Sequence, residues 1–300
     1  MLDLDNLLET IEQTETKKRD KENHKSDENF LSFKAGNTYL VRLLPYIADP
    51  SNTFVDYEEY GWNSCIPGQG YIYAGRTPKS LGKDDLVARL QWQTFQEGRD
   101  TKDDGKKTRS YKLLPQKKQM VNVYVIDDPA NPENNGTVKV LRYSSRLNKD
   151  GTPTGHLHKV IQNGIFGDDR EDVGKRAFDL TKNGCTLRVK VTQNAGGWND
   201  YAESKFVGAK DLGLSKPEIE GIYDQAKDLT TLIPDVKSES ELRSLLDLHW
   251  HGKNASHDAE LDQYDDDDGD ELDLSPRQVK GSDAEDDMDK FLDGLGGIDD

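Results

Sequence analysis

The sequence predicts an α+β fold that is mainly β: a small Greek-key barrel or a related domain, with helices at its periphery and a disordered acidic C-terminal tail. Three observations predict it. Short runs rich in Val, Ile, Thr and Tyr alternate with turn sequences between residues 30 and 253. A few segments of the same region have the apolar spacing of helices. Residues 254–300 hold 18 acidic against three basic residues and few apolar ones.

The middle region contains seven candidate strands. They are 38–44, 53–62, 70–73, 120–126, 136–143, 185–192 and 201–207. Turn sequences separate several of them, namely DDP at 127–129, NNG at 134–136 and AGG at 195–197.

Three segments are predicted to be helices. Residues 84–97 place Leu86, Val87 and Leu90 on one side. Residues 217–229 begin with a proline, whose missing N–H costs nothing in the first turn. Residues 238–250 begin with a serine followed by glutamate three positions later, which is the pattern of a capping box.

The net charge of −17 is distributed unevenly. Residues 1–29 hold nine acids and five bases, residues 30–253 hold 30 acids and 32 bases, and residues 254–300 have a net charge of −15. Bases concentrate at 105–118 and 139–149, where no acid intervenes. We therefore expect an N-terminal arm (1–29), a folded core (30–253) and an acidic disordered tail (254–300). The acidic total does not exclude a polyanionic partner for the core.

Both ends carry short apolar patterns within polar sequence. In the arm, leucines at 4, 7 and 8 have helical spacing, which leaves either a frayed helix with a linker or a self-association segment. The tail is either a solubilising segment or an internal polyanion with a docking peptide. The candidate docking residues of the tail are Met288, Phe291, Leu292 and Leu295.

Several classes of protein are disfavoured. No run of 18 uncharged apolar residues is present, and MLDLDNLLET lacks the regions of a secretory signal. Cys65 and Cys185 cannot form a disulfide framework, so we expect a reduced, cytoplasmic protein. The nucleophile-elbow, P-loop, HExxH and GxGxxG patterns are absent from the sequence. A binding role is therefore favoured over an enzyme.

Aromatic residues lie beside the bases, which is the composition of a surface that binds single-stranded nucleic acid through phosphate contacts and base stacking. Each of these rings is also a candidate for the core. Trp198 is the strongest candidate for stacking, because the glycines before it and Asn199-Asp200 after it predict an exposed loop tip.

Three segments carry a resemblance to a known family: VNVYVIDDPANPENNGTVKVLRY at 121–143, GWNDYAESKF at 197–206 and YLVRLLP at 39–45. They are similar to a strand–DPxxPEN–Gly–strand segment, a stretch ending in Glu-Ser-Lys-Phe and an early strand of that family. The sequence thus resembles the single-stranded DNA-binding, or helix-destabilising, protein of T-even-type bacteriophages. The acidic tail also fits. The resemblance spans roughly 39–206 together with the tail.

The resemblance implies an OB-fold core that binds single-stranded DNA without sequence preference, cooperative coating through the arm, and recruitment of replication, recombination and repair proteins by the tail. Arg42, Arg142, Tyr143, Trp198 and Tyr201 fall on family positions in or next to the DNA cleft. The sequence KKTRS at 106–110 resembles the family's short basic motif. The full predicted set is Arg42, Trp92, Lys106, Lys107, Arg109, Tyr111, Lys117, Lys118, Arg142, Tyr143, Arg146, Lys190, Trp198 and Tyr201.

The resemblance also implies a structural zinc held by one His and three Cys. The matching triplet here is Tyr60-Gly61-Trp62, and Cys65 alone remains of the cysteines. We therefore expect the zinc to be lost, no other cofactor, and a hairpin at 71–73 to pack in its place. The arm departs as well, because its bases at 17–21 follow an acidic segment.

These observations lead to the expectation of a non-enzymatic protein in the cytoplasm of an infected bacterium. It would coat and protect single-stranded DNA, associate with itself along the strand, and use its acidic tail both to recruit partners and to compete with DNA for the basic cleft. Two alternatives stay open: an acidic-tailed assembly adaptor with buried aromatics and no direct contact with nucleic acid, and a nuclease whose acids converge around Mg²⁺.

Overall fold

The structure, a computed structural model, describes residues 28–145, 155–195 and 197–253. These residues group into two compact units. Unit 1 comprises residues 28–56 and 118–232, and unit 2 comprises residues 57–117 and 233–253. The sequence alone indicated a single core at 30–253 and drew no such division. The arm and the tail lie outside the described residues.

The elements follow the chain in an interleaved order. The strands are β1 (Thr38–Leu44), β2 (Phe54–Asn63), β3 (Tyr71–Arg76), β4 (Gln116–Asp127), β5 (Val138–Ser144), β6 (Cys185–Lys190), β7 (Thr192–Gln193), β8 (Asn199–Asp200) and β9 (Lys205–Ala209). The α-helices are α1 (Leu86–Asp100), α2 (Asp104–Tyr111), α3 (His156–Ile165), α4 (Lys216–Tyr223) and α5 (Glu239–His249).

The sheet of unit 1 is antiparallel and is centred on β1. This strand pairs with β4 on one edge, where Leu43 faces Val123, and with β6 on the other, where Val41 faces Leu187. β5 pairs with β4, and β9 pairs with β6. Because side chains alternate between the faces of a strand, these apolar residues meet on one face and form the main core. Helix α3 covers that core through its buried residues, among them Ile161.

These pairings confirm the expected α+β class with a mainly antiparallel β composition. Among the described strands of unit 1, pairing runs from β5 through β4, β1 and β6 to β9 and remains open, so these strands do not close into a barrel. The edge of β5 is met by Phe30, which forms an isolated bridge with Val140. The more specific OB-fold assignment stays a prediction.

Two helices were missed by the sequence patterns. No helix was predicted in the basic segment at 105–118, whereas its first half lies in α2, with Asp103 accepting a hydrogen bond from the backbone N–H of Lys106 at the N-cap. Helix α3 lacks a side-chain cap at Gly155, which removes the usual start signal. Residues 201–204, expected to open a strand, form a turn before β9.

Unit 2 contains the β2–β3 hairpin and helices α1, α2 and α5. Its core contains Tyr60, Trp62, Val87 and Leu246. Helix α5 begins with the predicted capping box, in which Ser238 and Glu241 bond reciprocally to each other's backbone. Among the described residues, no helix has the length and apolar character needed to cross a membrane.

Arg42 of β1 is fully buried in unit 1. Its guanidinium donates to the backbone carbonyls of Asp179 and Thr181, at 2.8 and 2.7 Å, and also to that of Lys210. Gly184 provides the space, because a Cβ there would lie 1.7 Å from the carbonyl oxygen of Asp179 and 2.7 Å from the guanidinium. Burial lowers the pKa of Arg42, and the carboxylate of Asp179 opposes that shift.

This placement corrects the expectation that Arg42 contacts DNA. A fully buried guanidinium bound to three carbonyl groups is not available to a phosphate. It ties β1 to the backbone of the segments around residues 180 and 210.

We predict that Arg42→Met destabilises the protein by about 3 kcal/mol, because the apolar side chain leaves these carbonyls without donors. Urea unfolding followed by circular dichroism measures the change. Arg142→Met is the matched control, since Arg142 is exposed on β5, and its expected loss is under about 1 kcal/mol. An unchanged unfolding midpoint for Arg42→Met, combined with weaker binding of DNA, would contradict the structural role.

Candidate nucleic-acid interface

Trp198 lies at the tip of the β7–β8 hairpin in unit 1. Asn194 closes the tip: its backbone N–H donates to the carbonyl of Trp198, and its side-chain oxygen accepts from the N–H of Trp198, both at 3.0 Å. The indole is 64% exposed, the largest value among the exposed large hydrophobic residues described. The expected exposed tip is confirmed, and the ring is presented on a hydrogen-bonded turn.

Tyr201 follows this hairpin and is half-buried. Its ring meets that of Phe33 edge to face, at a centroid distance of 5.8 Å, and Phe33 contacts the fully buried Tyr39 at 4.8 Å. Burial raises the pKa of Tyr201, which keeps its phenol neutral at physiological pH. Phe33 was missed by sequence reasoning, because it precedes β1 in a segment without periodic spacing.

The hairpin is also tied to α3 by a histidine–carboxylate contact. His156 Nδ1 and Asp200 Oδ1 are 2.8 Å apart. Burial acts to raise the pKa of Asp200, but the backbone N–H of Ala202 and the contact with His156 outweigh it and lower the pKa. Asp200 is therefore ionised at neutral pH, two residues from Trp198. No sequence pattern indicated this pair, since its members are 44 positions apart.

The bases of unit 1 have different surroundings. Lys190 is partly exposed, with its ammonium 2.5 Å from Glu203. Arg142 is exposed on β5, and its guanidinium lies over the ring of Phe30 at 5.1 Å from the centroid. Lys118 is partly exposed on β4. All three are accessible to a phosphate.

Tyr143 is a second correction. It is 5% exposed and belongs to the main core. Its hydroxyl donates to the side-chain oxygen of Gln119, whose amide nitrogen donates to both carboxylate oxygens of Asp56 at 3.0 and 3.1 Å. Burial, and then the charge of Asp56, raise the pKa of Tyr143 well above its ordinary value. A ring held inside the core has no face to offer to a base.

The basic residues of unit 2 are arranged on α2 and at the start of β4. Lys106 pairs with Glu97 at 3.1 Å, and Lys107 with Asp104 at 3.0 Å. Lys117 is exposed, and its ammonium is 3.9 Å from Glu58. These lysines keep flexible side chains at the surface, each beside a carboxylate.

Arg109 has a different role from these lysines. Its guanidinium lies over the indole of Trp250, 4.5 Å from the ring centroid, and donates to the backbone carbonyl of the same residue at 2.5 Å. Trp250 itself is buried. Arg109 therefore anchors the C-terminal end of α5 to α2, and this contact occupies part of its donor capacity.

Three aromatic rings of unit 2 contact one another in series. Trp92 is 45% exposed and stacks on Phe95 at 5.9 Å with an interplanar angle of 28°. Phe95, which is buried, contacts Tyr111 at 5.9 Å. Burial raises the pKa of Tyr111. One side of the Trp92 ring is therefore packed on Phe95, and the exposed part of the ring is open to a stacking partner.

The residues at the position of the implied zinc do not fit that metal. Tyr60, at the place of the expected histidine, is buried, and its phenol donates to Asp85 at 2.9 Å. Burial, and then the charge of Asp85, raise the pKa of Tyr60, which holds it in the neutral form. Cys65 lies on the surface, with its sulfur 3.8 Å from the carbonyl of Leu248. In the part of the chain that the structure describes, no group of three or more His, Cys, Asp or Glu residues is arranged to hold a metal ion.

Some predicted residues cannot be placed. Arg146 and the tail residues Met288, Phe291, Leu292 and Leu295 lie outside the described residues. The remaining predicted residues divide between the units: Arg42, Lys118, Arg142, Tyr143, Lys190, Trp198 and Tyr201 in unit 1, and Trp92, Lys106, Lys107, Arg109, Tyr111 and Lys117 in unit 2.

Comparison with known proteins identifies the domain. No curated protein matches the sequence. A family model described as gp32 DNA binding protein like matches residues 34–248, which is more than half of the chain and includes the placed aromatic and basic residues. The chain therefore belongs to the gp32-like family of single-stranded-DNA-binding proteins.

Proposed function

We propose that this protein coats and protects single-stranded DNA without sequence preference, and that it does so without catalysing a reaction. The observation that carries this proposal is Trp198, an indole 64% exposed on a hydrogen-bonded hairpin tip within a DNA-binding family domain. Each nucleobase has a π-face, so a ring presented in this way stacks on any of them. Trp92, which stacks on Phe95, provides a second exposed ring.

Lysines at the surface of each unit suit a phosphate backbone. Lys190, Lys106 and Lys107 each lie beside a carboxylate, at 2.5 to 3.1 Å. Phosphate can replace the carboxylate as the partner of each ammonium, and the ammonium group does not require a fixed geometry. Binding of this kind follows the charge of the strand rather than its sequence.

The sequence of the tail supports a regulatory role. Its net charge of −15 allows it to compete with DNA for the lysines, and binding of DNA would then release it for partner proteins. We place the protein in DNA replication, recombination and repair, in the cytoplasm of a phage-infected bacterium. The N-terminal arm would support self-association along the strand.

We predict that Trp198→Ala weakens binding to oligo(dT) by about 1–3 kcal/mol, because one stacking face is lost. Fluorescence anisotropy of a labelled oligonucleotide at low salt measures the affinity. Phe166→Ala is the matched control, since Phe166 is also in unit 1 and is 59% exposed. Equal affinities of the Trp198 variant and the parent would contradict stacking at this site. If the parent chain binds no DNA at low salt, the adaptor interpretation is favoured.

We predict that affinity for oligo(dT) falls with salt, with a log–log slope of roughly −0.7 for each phosphate contacted. Lys106→Gln with Lys107→Gln should make that slope shallower by about 1.4, because two phosphate contacts are removed. Titrations at a series of NaCl concentrations give both slopes. An affinity that does not change with salt would exclude a phosphate-tracking surface.

We predict that removal of residues 254–300 raises the affinity for single-stranded DNA, because an internal competitor is removed. This gain in affinity should become smaller as the salt concentration rises, since screening weakens the binding of both the tail and the DNA to the basic residues. Anisotropy titrations of the parent and the truncated chain at two salt concentrations measure it. An unchanged or lower affinity after truncation would reject competition by the tail.

A further inference from the structure

The β2–β3 hairpin of unit 2 presents two tyrosines on its outer face. Trp62 pairs with Ile72, and Trp62 is buried in the core, which identifies the inner face of the hairpin. Tyr71 and Tyr73 therefore lie on the opposite face, because neighbouring residues of a strand alternate. They are 46% and 42% exposed. That this hairpin packs in the place of a lost zinc stays a prediction.

The ring of Tyr71 lies across the backbone of Gly61 on the neighbouring strand. A Cβ at Gly61 would be 2.0 Å from the phenolic oxygen of Tyr71 and 2.4 Å from Cζ. The ring therefore occupies the space beside the α-carbon of Gly61, where any residue other than glycine would carry its side chain. The phenolic end of the ring is therefore packed against the backbone of β2, while Tyr71 remains 46% exposed.

A hydrogen bond holds this ring in position. Gln116 of β4 donates from its amide nitrogen to the phenolic oxygen of Tyr71 at 2.8 Å. Burial, and then the charge of Glu59, raise the pKa of Tyr71, and the bond from Gln116 only partly offsets them. The phenol is therefore neutral at physiological pH, and it does not repel a phosphate.

We propose that Tyr71, assisted by Tyr73, is a stacking platform for unpaired bases of single-stranded DNA. This inference rests on the proposed function and adds a binding surface to it. A flat ring that is supported beneath and fixed at its hydroxyl loses little freedom when a base stacks on it.

The test is a double-mutant cycle built on Gly61 and Tyr71. Tyr71→Ala should weaken binding of oligo(dT) by roughly 5- to 150-fold, because a stacking face is removed. Gly61→Ala should weaken it in the same direction, since the new methyl group displaces the ring. In the Tyr71→Ala background, Gly61→Ala should have no further effect, because no ring remains to be displaced. Such non-additivity is expected only if both changes act through the position of the ring.

Leu81→Ala is the matched control for exposure. Leu81 is 48% exposed in unit 2 and is aliphatic, so its removal should change the affinity by less than about twofold. Tyr71→Phe should retain most of the binding, because it keeps the ring and loses only the hydrogen bond from Gln116. Circular dichroism of every variant checks that the fold persists, and Tyr71→Phe with photocrosslinking provides the test if Tyr71→Ala does not fold.

Photocrosslinking to an oligonucleotide that carries 5-iododeoxyuridine gives an independent readout on the full chain. A crosslinked peptide that contains Tyr71 or Tyr73 supports the platform. Crosslinks confined to other peptides, or an unchanged affinity of Tyr71→Ala and Gly61→Ala, would overturn it. If the parent chain itself fails to bind oligo(dT), the proposed function fails. If the parent binds and the Tyr71 variants match it, this inference alone fails.

Discussion

The structure of unit 1 depends on one strand that is buried on both faces. β1 directs Tyr39, Val41 and Leu43 into the main core, while Leu44 on its other face belongs to a second apolar cluster with Leu180. Arg42 lies on that second face, where its guanidinium binds three backbone carbonyls. These bonds hold the segments around residues 180 and 210 against β1.

The exposed candidate binding residues of unit 1 are positioned by elements that pack around β1. The hairpin that carries Trp198 follows directly from β6, which pairs with β1, and it is tied to α3 by His156 and Asp200. In unit 2 the exposed rings pack on other groups of the same unit. Trp92 stacks on Phe95, and Tyr71 packs against Gly61. In each case an aromatic face is exposed while its position is fixed. Rigid aromatic surfaces of this kind lose less entropy on binding than mobile ones.

Local patterns in the sequence predicted much of this arrangement and failed where long-range packing intervened. The bounds of β1 agree with the predicted segment, because five apolar residues form a short run around Arg42 that favours a strand. The exposure of Trp198 followed from the glycines and the Asn-Asp pair that flank it. Tyr143 could not be distinguished from Trp198 in the same way. Its burial depends on Gln119 and Asp56, which are distant along the chain.

The sequence by itself determined the α+β class, most of the strands, the charge distribution and the resemblance to a DNA-binding family, because propensity, alternation and short motifs are local properties. Tertiary structure alone decided which aromatic and basic residues reach the surface. Arg42 and Tyr143 are inside and Trp92, Tyr71 and Tyr73 are outside, since burial is set by whatever element packs on a residue from elsewhere in the chain. The charge or aromaticity of a residue thus identifies it as a candidate for binding, and its packing determines whether it reaches the surface.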